Sequence, residues 1–130
     1  MEVLASKRRF VIVGASEDPA KYGNKVFNFL LKQGCKVIGI NPKGGEINGV
    51  QLYKTLAEVP RDDAAAMTET VVVFIVPPKV TENAVKEAKA LGYENMWMQP
   101  GSESDVAIQW CDANGVKLVH HDCIMVQYRR

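Results

Sequence analysis

The sequence predicts an α/β domain in which a mainly parallel sheet of about five strands carries helices on both faces, a doubly wound arrangement. Short apolar runs alternate with segments of helical periodicity from residue 10 to residue 121. Glycine, proline or asparagine separates neighbouring segments, as expected at turns between strands and helices. Residues 70–76 are almost entirely apolar and rich in β-branched side chains, which is typical of a central parallel strand buried on both faces.

Strands are assigned to the apolar runs, and the turn residues after each run set its end. Gly14 stops the first strand, and Pro77 with Pro78 ends the central one. The predicted strands are residues 10–13, 35–40, 46–53, 70–76, 95–99 and 117–121. The third is expected to be short. Because strands alternate with helices, the sequence predicts parallel β-α-β units with right-handed crossovers.

Helices are predicted at about residues 25–33, near residue 56, at about 80–91, and from a start at 102–105 to an end at 114–115. Gly23 or Asn24 can cap the first of these. Capping boxes are predicted where Thr55 precedes Glu58 and where Ser102 precedes Asp105. Residues 1–8 are expected to form a frayed arm or a short edge element, residues 61–69 a connection of unclear structure, and residues 122–130 a tail.

Length and charge exclude several classes of protein. The 130 residues are predicted to form one domain, residues 1–130, with a single core. Sixteen basic and fifteen acidic residues give a net charge of +1, which argues against general binding to nucleic acid or to a membrane surface. No apolar run is long enough to span a membrane. Three cysteines without a pattern favour a reducing, cytoplasmic location.

The first strand and its loop carry the main signal for a ligand. In an open α/β sheet, backbone amides at the carboxyl end of the first strand and at the next helix N-terminus face a bound phosphate. Gly14 allows close backbone approach there, and Ser16 offers a hydroxyl group. The next glycine is Gly23, so the strict Gly-x-Gly-x-x-Gly dinucleotide motif is absent.

The end of the second strand distinguishes between classes of nucleotide ligand. Enzymes that use NAD place a carboxylate here to bind the adenosine ribose. This chain has Asn41, Pro42 and Lys43 instead. A cation in this position disfavours NAD and favours a ligand with an additional phosphate, such as NADP or coenzyme A (CoA); the alternative is a solvent-exposed turn lysine.

The segment His120-His121-Asp122-Cys123 gathers four potential metal ligands near the carboxyl terminus. If it continues the last strand, alternate residues point to opposite faces, which leaves too few ligands on one side for a closed zinc site. No metal site is therefore predicted. No catalytic residue is predicted either, since no third group can be named that would orient a histidine to assist Cys123 as a nucleophile. A mixed disulfide between Cys123 and the thiol of a bound CoA is a further hypothesis.

The chain resembles the small stand-alone proteins of the CoA-binding domain family from about residue 10 to residue 130. The motifs that carry the resemblance occur in the same order: Val13-Gly-Ala-Ser16, Asn41-Pro-Lys43, Val76-Pro-Pro78, Trp97-x-Gln99-x-Gly101, and Asp122-Cys-Ile-Met125 ahead of Arg129-Arg130. The family is similar to the N-terminal domain of the succinyl-CoA synthetase alpha subunit. This similarity implies a Rossmann-like domain that binds CoA.

The resemblance also implies where each part of CoA would bind. The diphosphate would meet Gly14, Ala15 and Ser16, with Lys21, Gly23 and Asn24 nearby. The adenosine would lie beside Asn41, Pro42 and Lys43. The pantetheine would pass Val76, Pro77 and Pro78, and Gln99 and Gly101 would border its far end.

Ligase activity is not carried over, because the synthetase bears its phosphorylated histidine in a second domain. The sequence therefore favours a non-catalytic module for CoA or acyl-CoA that acts as a carrier, a sensor or a partner subunit. Pairing into a homodimer or with another protein stays open. The alternative is a small enzyme that depends on NADP or another nucleotide, although no acid-base pair for reduction is evident.

Overall fold

A central parallel sheet organises the protein. The structure, a computed structural model, describes residues 9–61 and 64–128, the side chains of residues 64 and 65 excepted. Five parallel strands form the sheet in the order β2-β1-β5-β6-β7. Their bounds are β1 Arg9–Val13, β2 Lys36–Ile40, β5 Thr70–Phe74, β6 Asn95–Met98 and β7 Lys117–Val119, and a separate hairpin contains β3 Glu46–Ile47 and β4 Val50–Gln51. The predicted doubly wound α/β fold is thus confirmed.

Helices cover both faces of this sheet. They are α1 Tyr22–Lys32, α2 Ala64–Thr68, α3 Pro78–Ala90, α4 Asp105–Ala113 and α5 Ile124–Tyr128, and a 3-10 turn lies at Leu56–Glu58. One core lies between the sheet and α3 with α4 and includes Val72, Phe74 and Met96. The other lies under α1 and α5 and includes Phe10, Phe27 and Trp97. No helix among residues 9–61 and 64–128 is long and apolar enough to cross a membrane.

Several predicted elements differ from the observed ones near their ends. Residues 46–53 do not form one strand but an antiparallel hairpin, because Asn48 and Gly49 adopt positive φ angles of 48° and 79° that reverse the chain. The central strand ends at Phe74, and the following helix starts at Pro78 rather than near residue 80. Proline suits this first helical position because its missing N–H would have no partner there.

The cap of α4 differs from the predicted one, and two segments without a predicted helix contain short helices. Ser104, and not Ser102, caps α4, since its side chain accepts a hydrogen bond from the Ala107 amide. The connection at 61–69 contains α2, and the tail contains α5. The capping box of Thr55 and Glu58 is confirmed. The predicted arm at residues 1–8 and the final Arg129 and Arg130 lie outside the described residues.

The order of the strands places a crevice at the carboxyl edge of the sheet. β1 lies between β2 and β5, so the chain leaves β1 towards one side and later returns on the other side. At such a topological switch point the connections diverge and leave room for a ligand. The ligand edge is therefore defined by the carboxyl ends of β1, β2 and β5.

Phe27 tests the packing of α1 against the sheet. Its side chain is fully buried, so replacing Phe27 by alanine should lower the free energy of unfolding by about 3–5 kcal/mol through lost burial and a cavity. Tyr22 lies on the same helix and is 58% exposed, so Tyr22→Ala should cost about 1 kcal/mol or less. Urea unfolding of both variants measures the difference. Equal losses would contradict this packing.

Candidate ligand site at the carboxyl edge of the sheet

Gly14 brings the loop after β1 directly against the end of β5. Its φ angle is 103°, and a Cβ atom built there would lie 2.1 Å from the Ile75 carbonyl oxygen. Only glycine accommodates both the positive φ angle and this contact. The amides of Gly14 and Ala15 also donate to the Ile40 carbonyl, each at 3.1 Å. The loop is therefore fixed between the ends of β2 and β5.

Gly23 holds the first turn of α1 on the same loop. A Cβ atom built on Gly23 would lie 2.0 Å from the Gly14 carbonyl oxygen. Such a contact is possible only without a side chain. Lys21 is the N-cap of α1 and makes no side-chain capping hydrogen bond. The amides that begin α1 thus lie close to the end of β1 without a side-chain cap, which favours binding of an anion.

Two asparagines bind successive carbonyl groups of the loop. Asn41 Nδ2 donates to the Ala15 carbonyl at 2.8 Å, and Asn24 Nδ2 donates to the Ser16 carbonyl at 2.9 Å. Asn24 is only 8% exposed, so loss of its partner would leave a buried amide unsatisfied. These bonds fix the orientation of two successive peptide planes.

The amides that follow these carbonyls remain unpaired. In a trans peptide, the N–H points opposite to the carbonyl of the preceding residue. The Ser16 N–H therefore points away from Asn41, and the Glu17 N–H points away from Asn24. Neither amide has a hydrogen-bond partner among the described residues. Successive free amides of this kind form a concave site for an anion.

The β3–β4 hairpin braces this loop from outside. Asn28 Nδ2 donates to Asn24 Oδ1 at 2.8 Å, and Asn48 of the hairpin turn donates in turn to Asn28 Oδ1. Glu17 Oε2 also accepts a hydrogen bond of 3.0 Å from the Glu46 amide. The loop geometry consequently depends on contacts from the hairpin as well as from α1.

The adenosine side predicted from the sequence lies at the end of β2. Asn41 Oδ1 accepts from the Lys43 amide at 2.9 Å, which makes a tight turn, and Pro42 and Lys43 are exposed. Beside this turn is a depression of about 280 Å³. It is lined by Val13, Ile40, Lys54, Thr55, Leu56, Val80, Asn83, Ala84 and Glu87. Sequence reasoning missed this set because four separate segments contribute to it.

The predicted pantetheine side follows β5. The Val76 amide donates to Ser102 Oγ at 3.2 Å, whereas Pro77 and Pro78 are exposed at the start of α3. Gly101 has a φ angle of 96° and lies exposed in the turn after β6. The structure therefore brings these predicted residues to the edge that also carries Gly14.

Gln99 is placed differently from the other predicted residues. It is 2% exposed, and its Oε1 accepts from the Ile124 amide at 2.7 Å. Its Nε2 donates to Cys123 Sγ at 3.4 Å. Its side chain therefore holds the start of α5 against the end of β6.

The two histidines adopt an arrangement that the sequence analysis did not predict. β7 ends at Val119, and His121 has a φ angle of 61°, so the expected alternation of faces is wrong at this point. The two rings meet instead, with 2.5 Å between His120 Nδ1 and His121 Nδ1. Among residues 9–61 and 64–128, no group of three or more His, Cys, Asp or Glu residues could hold a metal ion.

The parallel strand order, the switch point and the glycine-opened loop define an α/β domain of Rossmann-like class. A family model described as a CoA binding domain matches residues 8–129. The chain therefore belongs to the CoA-binding domain family, as its sequence motifs indicated.

Known relatives agree with this assignment. The chain is 30% identical over 97 residues to the alpha subunit of ADP-forming acetate–CoA ligase II of Pyrococcus furiosus. The matched region covers 74% of this chain and 20% of that subunit. The chain thus spans about a fifth of the length of such curated relatives.

Solved structures of similar size share the whole fold. A conserved hypothetical protein from Pyrococcus furiosus is 40% identical, with a TM-score of 0.83 and coverage of 92% of this chain and 98% of that one. A hypothetical protein from Pyrococcus horikoshii OT3 is 29% identical, with a TM-score of 0.87 and coverage of 99% and 87%. The fold therefore also occurs in chains of about this length.

The cysteines offer a direct test of the arrangement around α4 and α5. Cys111 is fully buried, and burial raises the pKa of its thiol to about 11. Cys35 is also buried, with its Sγ 3.0 Å from the Tyr128 hydroxyl oxygen, whereas Cys123 is partly exposed. Iodoacetamide at pH 8 should therefore label Cys123 in the native protein and all three cysteines after unfolding. Native labelling of Cys111 at a comparable rate, detected by peptide mass spectrometry, would contradict the structure.

Proposed function

We propose that the protein binds CoA or acyl-CoA at the carboxyl edge of its sheet, as a non-catalytic carrier, sensor or partner module. The observation that carries this proposal is that the Ser16 and Glu17 amides, beside the start of α1, have no hydrogen-bond partner in the described part of the chain. Backbone amides and the helix dipole together favour a diphosphate at this point. Membership of the CoA-binding domain family supports CoA as the ligand that carries this diphosphate.

The proposed ligand lies across the ends of three strands. Its diphosphate contacts Gly14, Ala15 and Ser16, with Lys21, Gly23 and Asn24 beside it. Its adenosine contacts Asn41, Pro42 and Lys43 and uses the depression next to Lys54. Its pantetheine passes Val76, Pro77 and Pro78 towards Gly101 and the segment held by Gln99. The apolar depression suits an adenine ring, since Val13, Leu56 and Ala84 line it.

Several carboxylates near this edge accept hydrogen bonds from backbone amides. Because these carboxylates have a structural role, they support a binding function rather than a catalytic one. Glu17 accepts from the Glu46 amide, and Glu58 accepts from the Lys54 and Thr55 amides. Glu103 accepts from the Gly101 and His121 amides at 2.8 and 3.0 Å. We infer that any reaction of bound acyl-CoA takes place with a partner protein, in the cytoplasm.

Calorimetric titration with CoA, acetyl-CoA, NADP and NAD under reducing conditions tests the proposed function. The protein should bind CoA with micromolar or tighter affinity and should not respond to either nicotinamide nucleotide. Binding of NADP alone would replace this proposal with a nucleotide-dependent enzyme. Absence of all binding would remove the proposed function.

Asn41→Ala tests the role of the loop carbonyls. It removes the donor to the Ala15 carbonyl and the acceptor of the Lys43 amide, so the Ser16 amide loses its fixed orientation. CoA affinity should fall by about tenfold or more, which corresponds to about 1.4 kcal/mol. Asn114 provides a matched control, because its Nδ2 donates to the Trp110 carbonyl at 2.8 Å at the far end of α4. If Asn114→Ala weakens CoA binding as much as Asn41→Ala does, the loop has no special role.

A further inference from the structure

Two lysines border one glycine turn on the adenosine side of the ligand edge. Lys43 directly precedes Gly44, and Asn41 fixes its amide. Lys54 reaches the same glycine from the segment after the hairpin, since a Cβ atom built on Gly44 would lie 3.4 Å from Lys54 Cε. The stem of Lys54 thus lies along Gly44, and both lysines belong to one patch of surface.

Backbone contacts fix the position of Lys54. The Tyr53 amide donates to the Gly39 carbonyl, and the Asn41 amide donates to the Tyr53 carbonyl, both at 2.9 Å. These bonds hold Tyr53, and with it the adjacent Lys54, beside the carboxyl end of β2. The Lys54 amide also donates to Glu58 Oε1 at 3.1 Å. As a result, Lys54 lines the depression that also includes Val13 at the end of β1.

The charges of the two lysines are not neutralised within the described part of the chain. No described carboxylate oxygen lies within 4.0 Å of either ammonium nitrogen. Glu58 and Glu17 lie in the neighbourhood, but each accepts backbone amide hydrogens. Glu87 lines the depression from α3. Two unpaired cations at one turn favour a bound anion.

We propose that Lys54 and Lys43 together bind a phosphate monoester on the adenosine ribose, so that Lys54 sets the preference for CoA over dephospho-CoA. This inference rests on the proposed function and deepens it. A phosphate monoester carries about −1.5 to −2 charges at pH 7, which two lysines can balance and one cannot. Dephospho-CoA lacks the 3′-phosphate but retains the adenine, diphosphate and pantetheine, and therefore isolates this contact.

Calorimetry with CoA and dephospho-CoA on four proteins tests the inference. Wild-type protein should bind CoA about tenfold or more tightly than dephospho-CoA. Lys54→Met retains the apolar stem against Gly44 and should reduce this ratio at least threefold, with dephospho-CoA affinity changed by less than about twofold. Lys54→Arg should restore the ratio. Lys117→Met removes a lysine from the start of β7, at the opposite edge of the sheet, and should leave the ratio unchanged.

The outcomes separate the inference from the function on which it rests. If wild-type protein binds both ligands equally, the lysine pair does not recognise a phosphate, although CoA binding stands. If Lys54→Met weakens both ligands equally, Lys54 supports the fold or the adenine and the inference is overturned. If wild-type protein binds neither ligand, the proposed function fails and the inference fails with it.

Discussion

The contact between Gly14 and the Ile75 carbonyl is the constraint on which the ligand edge depends. It holds the loop after β1 across the end of β5, where any side chain at residue 14 would meet the backbone at 2.1 Å. Gly23 continues the same close packing on the other side of the loop. The path of the loop backbone is restrained at both glycines, and the orientation of the peptide planes between them is a separate feature of the loop.

That orientation is set by asparagine side chains. Asn24 and Asn41 each bind one loop carbonyl, from α1 and from the end of β2. The amides on the opposite sides of these peptides have no partner among the described residues. An amide side chain suits this role because it can donate to a carbonyl while its oxygen accepts from a neighbour. Asn41 accepts from Lys43 and Asn24 from Asn28, so the loop, the lysine turn and the hairpin form one connected network.

Much of the fold followed from the sequence, because strands of a buried parallel sheet are continuous apolar runs and the turn residues mark their ends. The capping box at Thr55 and Glu58 could also be predicted, since it depends only on two residues that are three positions apart in the sequence. Asn48-Gly49 is itself a strong hairpin signal, and the single strand predicted through it was an error of interpretation. The five-residue helix α5 has too few residues for a helical period to appear in the sequence.

Site residues that directly follow a strand could be predicted from the sequence. Parts of the site that combine distant segments of the chain could not. Gly14 and Asn41 each follow a strand, so their position at the carboxyl edge could be inferred from strand ends alone. The depression beside Lys54 combines residues from β1, β2, the segment with the 3-10 turn and α3, and these segments meet only through packing. For the same reason, the sequence placed Gln99 at the end of the predicted strand 95–99 but gave no sign that its side chain binds the start of α5.

Hydrogen exchange of the Ser16 and Glu17 amides, followed by NMR with and without CoA, tests the central claim most directly. Both amides should exchange rapidly in the free protein, because neither has a partner within residues 9–61 and 64–128. Saturating CoA should slow both by about tenfold or more, whereas the Asn114 amide, already bonded to the Trp110 and Cys111 carbonyls, should not change. CoA binding that leaves the exchange of Ser16 and Glu17 unaltered would contradict the account.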